Sequence, residues 1–322
     1  MNAARAFLSV VILAAVLAAC AVTVGAFGEA GHRIVGTVAE LHLRNTRAAA
    51  EVRKILRPNE TLADAAVWAD RIKDPLYEDG ETPLMRLNHP AHDTYHYANL
   101  PFGAERYSIT ATGARSTDIV QMARECIRVL KSGSRTAPGL VLSQRDALRL
   151  LAHFIGDMHQ PLHVGNAFVS ASGPLQFVDP AGATGWRSTL GGNGLIYGPE
   201  GRFNLHSYWD SHAVNITMQQ ENVGAFAARL VSEIEPSASW TAKGDVDGWP
   251  EQWATEGLAL AKEAHRGIRL ISYLGPDEAK RTAHRWSIEQ PAAYDNRARP
   301  IIRQQLATGG YRLAAVLKAI WF

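Results

Sequence analysis

The residues best suited to chemistry are the histidines and aspartates of the stretch His153 to His163. The apolar rhythm before and within it predicts a buried helix, on which His153 and Asp157, four residues apart, share one face. Pro161 should end the regular helix, because its ring clashes with a preceding carbonyl, and His163 follows that break. Imidazoles and a carboxylate spaced in this way suit a zinc site, but a buried His–Asp hydrogen-bonded pair has the same spacing.

A second stretch repeats the arrangement and favours the metal. His206 and Asp210 are again four residues apart, in an aromatic and apolar setting. Upstream, Trp68-Ala69-Asp70 and Tyr95-His96-Tyr97 each place one further potential ligand among aromatic residues, although each alone is more typical of a core. Two His/Asp pairs are better explained by one multinuclear site than by two separate structural pairs. The sequence therefore predicts a multinuclear metal site.

Composition places the chain among soluble globular proteins. It has 322 residues, of which 47% are apolar and 20% charged. Lys+Arg 33 against Asp+Glu 31 gives a formal net charge of +2, so the protein has no overall basic field of the kind that attracts nucleic acid. Any polyanion must therefore be bound at a local site, which a metal cluster could supply.

Residues 1–26 have the pattern of a signal peptide. Arg5 precedes an apolar run too short for a membrane span, and Val24-Gly25-Ala26 offers a cleavage site that makes Phe27 the first mature residue. A secreted or periplasmic protein follows. Cys20 ends a competing lipoprotein-like box, Leu17-Ala18-Ala19-Cys20, which would anchor the protein to a membrane. Cleavage after Ala26 leaves one cysteine, Cys126, and so excludes an intramolecular disulfide.

The elements that position these residues are predicted to be mostly helices. A central helix begins at a capping box, Ser143 to Asp146, and 28–31 is predicted to be a flexible lead into a helix over 32–41. The periodicity predicts further helices at 47–56, 62–72, 116–131, 207–218, 222–234, 250–273 and 291–307, followed by a last apolar stripe at 311–321. Residues 74–94 are predicted to be loop, 95–100 a short extended piece, and 194–197 part of a small β-hairpin. The predicted fold is mainly α, a single large helical domain over 27–322 with a small β-hairpin region and long loops.

In order along the chain, these motifs resemble the S1/P1-type zinc-dependent nucleases, which are relatives of bacterial zinc phospholipase C. The resemblance rests on segments spread over nearly the whole mature chain: Phe27-Gly28-Glu29-Ala30-Gly31-His32, Trp68-Ala69-Asp70, His96-Tyr97, His153 to His163, Gly191-Gly192-Asn193 and Asn204 to Asp210. The lack of cysteine pairs departs from the disulfide-bonded fungal and plant members and indicates a bacterial one.

The resemblance implies three zinc ions. It assigns Asp70, His96, His153 and Asp157 to the first, with Asp157 bridging to another ion, and His163, His206 and Asp210 to the second. The third would take His32, Asp157, and the free amine and carbonyl of Phe27. That role for Phe27 favours cleavage after Ala26, because a peptide nitrogen cannot serve as an amine ligand.

The implied activity is hydrolysis of single-stranded DNA and RNA and of 3′-nucleotides, by attack of a zinc-activated hydroxide on phosphorus. Asp70 could also orient the hydroxide, and Lys73 falls where the family neutralises transition-state charge. Tyr97 could stack on a base. Asn99 stands where several relatives have an aspartate that contacts the base.

Two other functions stay open at this point. One is a zinc-dependent phospholipase C, and the other is a non-catalytic periplasmic zinc-binding protein. The segment 166–190 is longer than in compact relatives, and it could be either a rim over the site or a tolerated surface insertion. We expect a monomer without stable membrane association unless Cys20 is lipidated.

Overall fold

The computed structural model describes residues 27–133, 141–277 and 283–322. The predicted signal peptide, with Cys20, lies outside the described residues. The helices are α1 Gly28–Leu43, α2 Arg47–Ile55, α3 Leu62–Arg71, α4 Thr82–Asn88, α5 Ile119–Ser132, α6 Gln144–Met158, α7 Pro161–Val164, α8 Leu205–Ser207, α9 Ala213–Met218, α10 Val223–Glu233, α11 Trp249–His265 and α12 Tyr294–Ile320. A π-helical turn, Tyr208–His212, joins α8 to α9. None of the described helices is both long and apolar enough to span a membrane.

The strands are short and form three small sheets. They are β1 Leu100–Pro101, β2 Gly165–Asn166, β3 Phe168–Ser170, β4 Phe177–Val178, β5 Trp186–Ser188, β6 Leu195–Tyr197, β7 Phe203–Asn204, β8 Arg269–Pro276 and β9 His284–Glu289. The orders are β1-β2, β4-β3-β5 and β7-β6-β9-β8. The prediction of a mainly α fold is confirmed, and so is the small hairpin, because β6 pairs antiparallel with β7.

The central helix α6 begins as predicted. Ser143 accepts from the backbone of Asp146, and the Asp146 side chain accepts from the backbone of Ser143. All residues of α6 from Ala147 to Met158 are buried, because α1, α3, α5 and α12 pack around it. A helix covered on every side can place polar groups away from water, and that is where His153 and Asp157 lie.

Close helix contacts depend on glycine at one crossing. A Cβ added to Gly310 of α12 would lie 2.4 Å from the Cβ of Val38 on α1. The sequence pattern predicted a final helix over 291–307 and a separate apolar stripe over 311–321, a division that leaves the Gly309-Gly310 pair between them. That division was wrong. The pair lies inside one continuous helix, where it allows the two backbones to approach.

Four other predictions were wrong in local detail. The flexible lead predicted over 28–31 is the first turn of α1, which begins at Gly28. The helix predicted over 250–273 ends at His265, and the chain from Arg269 forms β8, which pairs antiparallel with β9. The loop predicted over 74–94 contains α4, which has a proline in its first turn. The extended piece predicted over 95–100 is strand only from Leu100, and that strand pairs with Gly165–Asn166.

Candidate metal centre

Helix α6 brings His153 and Asp157 to one buried face, as their spacing predicted. The His153 Nε2 atom lies 3.0 Å from Asp157 Oδ2. The other ring nitrogen, Nδ1, donates a hydrogen bond to the carbonyl of Ala66 on α3 at 2.6 Å. That bond places the proton on Nδ1 and leaves the lone pair of Nε2 facing the carboxylate.

His96 and Asp70 join this pair from two other segments. The His96 Nδ1 atom lies 2.9 Å from His153 Nε2 and 3.1 Å from Asp157 Oδ2. Asp70, at the end of α3, places Oδ1 3.7 Å from His96 Nδ1 and 3.6 Å from His153 Nε2. The four residues predicted for the first ion are therefore brought together.

His32 approaches the same carboxylate from the opposite side. Its Nε2 atom lies 3.1 Å from Asp157 Oδ1, and its ring stacks on His153 with centroids 3.8 Å apart. This packing needs Gly156, since a Cβ there would lie 2.7 Å from His32 Nδ1. One oxygen of Asp157 faces His32 and the other faces His96 and His153, which is the geometry of a bridging carboxylate.

A second group forms around Asp210. The rings of His163 and His206 lie 4.9 Å apart. Asp210 Oδ1 is 3.7 Å from His163 Nε2, and Oδ2 is 3.3 Å from His206 Nε2. Pro161, predicted to end the central helix, instead begins α7, because α6 already ends at Met158. His163 lies on that short helix.

Backbone carbonyls orient three of the imidazoles. Besides the bond from His153 to Ala66, His163 Nδ1 donates to the carbonyl of His96 at 2.8 Å and His206 Nδ1 donates to that of Gly191 at 2.9 Å. In each case Nε2 is the ring nitrogen that faces the acidic residues, and in the neutral imidazole it carries the lone pair. Metal-binding histidines are held in this way in proteins.

Several buried polar atoms of these groups lack a hydrogen-bond partner within the described part of the chain. They are both ring nitrogens of His32, Asp157 Oδ1, His163 Nε2 and Asp210 Oδ2. Buried polar atoms are otherwise nearly always satisfied. The ligand atoms fall into three groups whose members lie within 4.8 Å of one another: His32, His153 and Asp157; Asp70, His96 and His153; and His163, His206 and Asp210. Nitrogen and carboxylate donors so arranged fit zinc.

The charges of the site shift the pKa values of its members. Burial lowers the pKa of His163, but the carboxylates of Asp157 and Asp210 outweigh it and raise that pKa to about 9. Burial and Lys73 lower the pKa of His96 to about 3. A cation that binds here displaces the proton held at His163, so we expect acid to compete with the metal.

Lys73 lies at the edge of the site. Its Nζ atom is 2.7 Å from Asp70 Oδ1, and about a third of its side chain is exposed. Burial alone would raise the pKa of the Asp70 carboxyl, but Lys73 and the imidazoles of His153 and His96 lower it below its usual range. The ammonium therefore stands beside the ligand groups, and its catalytic role stays a prediction.

Phe27 lies between both parts of the site. Its backbone nitrogen donates to Asp210 Oδ1 at 3.0 Å, and its ring meets that of His32 edge-on. The residue is fully buried. In the full chain this nitrogen belongs to a peptide bond, so the predicted amine ligand exists only after cleavage at Ala26. That role also stays a prediction.

The predicted substrate residues follow His96 directly. Tyr97 is half-buried, and the Arg115 guanidinium lies 4.6 Å from its ring centroid. Asn99 is also half-buried, and its backbone N–H donates to the carbonyl of Gly113 at 3.2 Å. Sequence reasoning gave no role to Arg115, because nothing in the local sequence connects it with Tyr97.

Gln160 is a second residue to which the sequence gave no role, although it lies within the motif. It is fully buried, and its Nε2 donates to Asp210 Oδ1 at 2.7 Å. Its Oε1 accepts from the backbone nitrogen of Leu162. Gln160 therefore connects the turn that carries His163 with a carboxylate of the same ligand group.

Comparison with known proteins gives one family. The family model described as S1/P1 Nuclease matches residues 27–321. Nuclease P1 of Penicillium citrinum is 29% identical, over 89% of this chain and 95% of the relative. Nuclease S1 of Aspergillus oryzae is 26% identical over 96% of each chain. Endonuclease 2 of Arabidopsis thaliana is 25% identical, over 92% of this chain and 90% of the relative.

Proposed function

The chain belongs to the S1/P1 nuclease family, and from this premise we propose that it is a zinc-dependent phosphoesterase. Its substrates would be single-stranded DNA, RNA and 3′-nucleotides, and it would hold three zinc ions. The family and its named nuclease relatives support a hydrolase that acts on nucleic acids. The zinc, the preference for single strands and the 3′-nucleotidase activity are the parts we propose.

The observation that carries the proposal is the shared position of Asp157. Its Oδ1 atom faces His32 at 3.1 Å, and its Oδ2 atom faces His96 at 3.1 Å and His153 at 3.0 Å, so two ligand groups adjoin one another. Zinc bound in such adjoining sites would supply a water-derived nucleophile at neutral pH and a Lewis acid for the phosphate. The residues of the chain supply position, because carbonyls fix the imidazoles of His153, His163 and His206.

One ligand, Asp70, and the lysine beside it have roles in the reaction in this proposal. Asp70 contributes Oδ1 to the first ligand group and is held by the Lys73 ammonium at 2.7 Å. Because the Lys73 ammonium lies beside this ligand, it can turn towards a bound phosphate. There it would stabilise the negative charge that grows on the phosphate oxygens during attack. A lysine is sufficient for this role, since a point charge needs no bidentate geometry.

Tyr97 supports a preference for single strands. It directly follows His96, a residue of the first ligand group, and the Arg115 guanidinium lies over its ring. A single strand can offer an unstacked base to an aromatic ring, whereas duplex DNA keeps its bases stacked inward. We further propose that the mature protein begins at Phe27 and is exported, because only the free amine of Phe27 could complete the third ligand set.

The test compares four substrates with and without a chelator. Mature protein purified in zinc should hydrolyse denatured DNA, RNA and a 3′-nucleotide, lose those activities on chelation, and regain them with zinc. Elemental analysis should find about three zinc ions per chain, the number that the family resemblance implies. Release of the phosphorylated headgroup from phosphatidylcholine, without action on nucleic acid, would instead indicate a phospholipase C. Zinc binding without turnover of any substrate would indicate a binding protein.

A matched pair of variants controls for general loss of structure. Asp157→Asn should abolish activity and reduce the zinc content, because it removes the bridging carboxylate. Asp247→Asn removes the same charge from a half-buried aspartate that pairs with Arg128 at 3.2 Å and belongs to none of the ligand groups. It should leave both zinc content and activity unchanged. Equal zinc content in the two variants would overturn the assignment of Asp157.

A further inference from the structure

The segment 166–190 is fixed at both of its ends beside the second ligand group. The Oδ1 atom of the buried Asn166 accepts from Gly191 N at 2.8 Å and from Thr189 Oγ1 at 3.0 Å. The carbonyl of Gly191 in turn accepts from His206 Nδ1, while His163 lies three residues before Asn166. The base of this segment is therefore part of the wall of the metal centre.

The outer part of the segment contacts the β8–β9 hairpin. The Arg187 guanidinium of β5 lies 5.3 Å from the ring centroid of Tyr273 on β8, and its Nη1 donates to the carbonyl of Ala171 at 2.9 Å. The Tyr273 hydroxyl bonds His284 Nδ1 across the hairpin at 2.6 Å. Strand β9 pairs with β6, which follows the Gly191 turn, so the hairpin too is connected to the metal centre.

Arg187 and Tyr273 together offer a cation and an accessible aromatic ring. Tyr273 is 42% exposed although it packs against Arg187. Within the described ranges no carboxylate lies within ion-pair distance of Arg187, whereas the hairpin acid Glu289 pairs with Arg269 at 3.3 Å. Single-stranded nucleic acid is bound by this combination of positive charge for the phosphates and a ring for the bases.

Arg187 is also near the Gly191 turn in the wall of the metal centre, so one nucleic-acid strand can contact both. Arg187 precedes Gly191 by four residues, so their Cα atoms are at most about 14 Å apart, at roughly 3.6 Å per extended residue. A stacked strand covers that distance in about four nucleotides, at roughly 3.4 Å each. We propose that Arg187 and Tyr273 form a rim subsite that binds single-stranded nucleic acid beyond the scissile phosphate. This inference rests on the proposed nuclease function.

The test measures kcat/KM on a long and a short substrate. Tyr273→Ala should lower kcat/KM about fivefold on a single-stranded oligonucleotide of about 20 nucleotides. This is the lower end of what base stacking contributes, and we expect the lower end because Arg187 already lies against the ring. It should leave kcat/KM on a dinucleotide unchanged, because a dinucleotide is too short to reach the rim. Tyr273→Phe keeps the ring and should retain the wild-type value on both. In a plot of log kcat/KM against log salt concentration, Arg187→Ala should make the slope shallower by about 0.7. That is the value for one phosphate contact on a single strand.

Arg297→Ala is the matched control. Arg297 also lies over a tyrosine, 5.4 Å from the ring centroid of Tyr294, but on helix α12. It should change neither the rate nor the salt slope. Unchanged rates for Tyr273→Ala and Arg187→Ala on the long strand, or equal losses on both substrates, would overturn the subsite.

The outcome for the rim is separate from the outcome for the proposed function. If the wild-type protein cleaves neither substrate, the proposed function fails, and the intact oligonucleotide can then be titrated directly by fluorescence anisotropy. Weaker binding by Tyr273→Ala and Arg187→Ala than by Arg297→Ala would still support the rim subsite. Equal binding by all three variants would overturn it.

Discussion

Replacement of Gln160 by alanine should weaken the second ligand group without touching a ligand. Asp210 Oδ1 accepts two hydrogen bonds, from Gln160 Nε2 at 2.7 Å and from the Phe27 nitrogen at 3.0 Å. Its other oxygen has no hydrogen-bond partner in the described ranges and faces His206 Nε2 at 3.3 Å. Gln160 therefore fixes the carboxylate so that Oδ1 stays on the His163 side and Oδ2 is directed towards His206. Without the amide, the carboxylate is free to rotate.

The expected size of the effect follows from these contacts. The variant loses one hydrogen bond to a charged group, worth about 1.5–3 kcal/mol, and one to the Leu162 N–H, worth about 0.5–1.5 kcal/mol. The free energy of unfolding should fall by about 2–4 kcal/mol, and the Tm by roughly 3–7 °C for a chain of this size. Loss of a residue that orients a metal ligand typically lowers metal affinity by about 10- to 100-fold.

The assay is a competition between the protein and a chromophoric zinc chelator, with Tm measured in saturating zinc. Gln252→Ala is the matched control. Gln252 also donates to a backbone carbonyl, that of Lys243 at 2.8 Å, and accepts from the Lys243 N–H at 2.9 Å, but it lies away from the ligands. It should leave zinc affinity unchanged. If Gln160→Ala lowers Tm but binds zinc as tightly as Gln252→Ala does, Gln160 only supports the fold, and the reasoning about Asp210 is wrong.

Three further predictions concern the reaction and the amino terminus. Lys73→Ala should lower kcat and kcat/KM together by about 10²–10³, as for other lost transition-state donors, while Lys73→Arg recovers much of the rate. If the alanine variant instead keeps wild-type turnover at unchanged zinc content, Lys73 is only a solvated cation. Tyr97→Ala should raise KM for nucleotides by a factor equivalent to about 1–3 kcal/mol, with zinc content intact. The wild-type enzyme should cleave single-stranded DNA faster than duplex DNA, and equal rates on the two would contradict base stacking. Mass analysis of the exported protein should find Phe27 as its first residue, and a lipidated Cys20 in the membrane fraction would contradict this and the third ligand set.

Local sequence was sufficient for the features that depend on helical periodicity. His153 with Asp157 and His206 with Asp210 are both brought together by one helical turn, as their spacing predicted. The start of α6 was also predictable, because a capping box satisfies its own backbone donors within four residues. The order of the motifs then led to the family, which the match over residues 27–321 confirms.

Features that depend on partners distant in sequence were not predictable. The chain after His265 has enough apolar residues for a helix, but pairing with β9 makes it a strand. The Gly309-Gly310 pair resembles a break in the sequence, yet Val38 packs against it and the helix continues. In both cases tertiary contacts outweigh local propensity, which amounts to less than about 1 kcal/mol per residue for most residue types.

The amino-acid sequence by itself therefore determined which histidines and aspartates lie together on one helical turn, because residue type and helical spacing are local properties. Only the tertiary structure decided how those residues are oriented. The carbonyls of Ala66, His96 and Gly191 direct three imidazoles, and Arg115 covers Tyr97, although none of these contacts has a signal in the sequence. A backbone carbonyl is present at every residue. Which one meets an imidazole is set by how the helices and turns pack, and that depends on the whole chain.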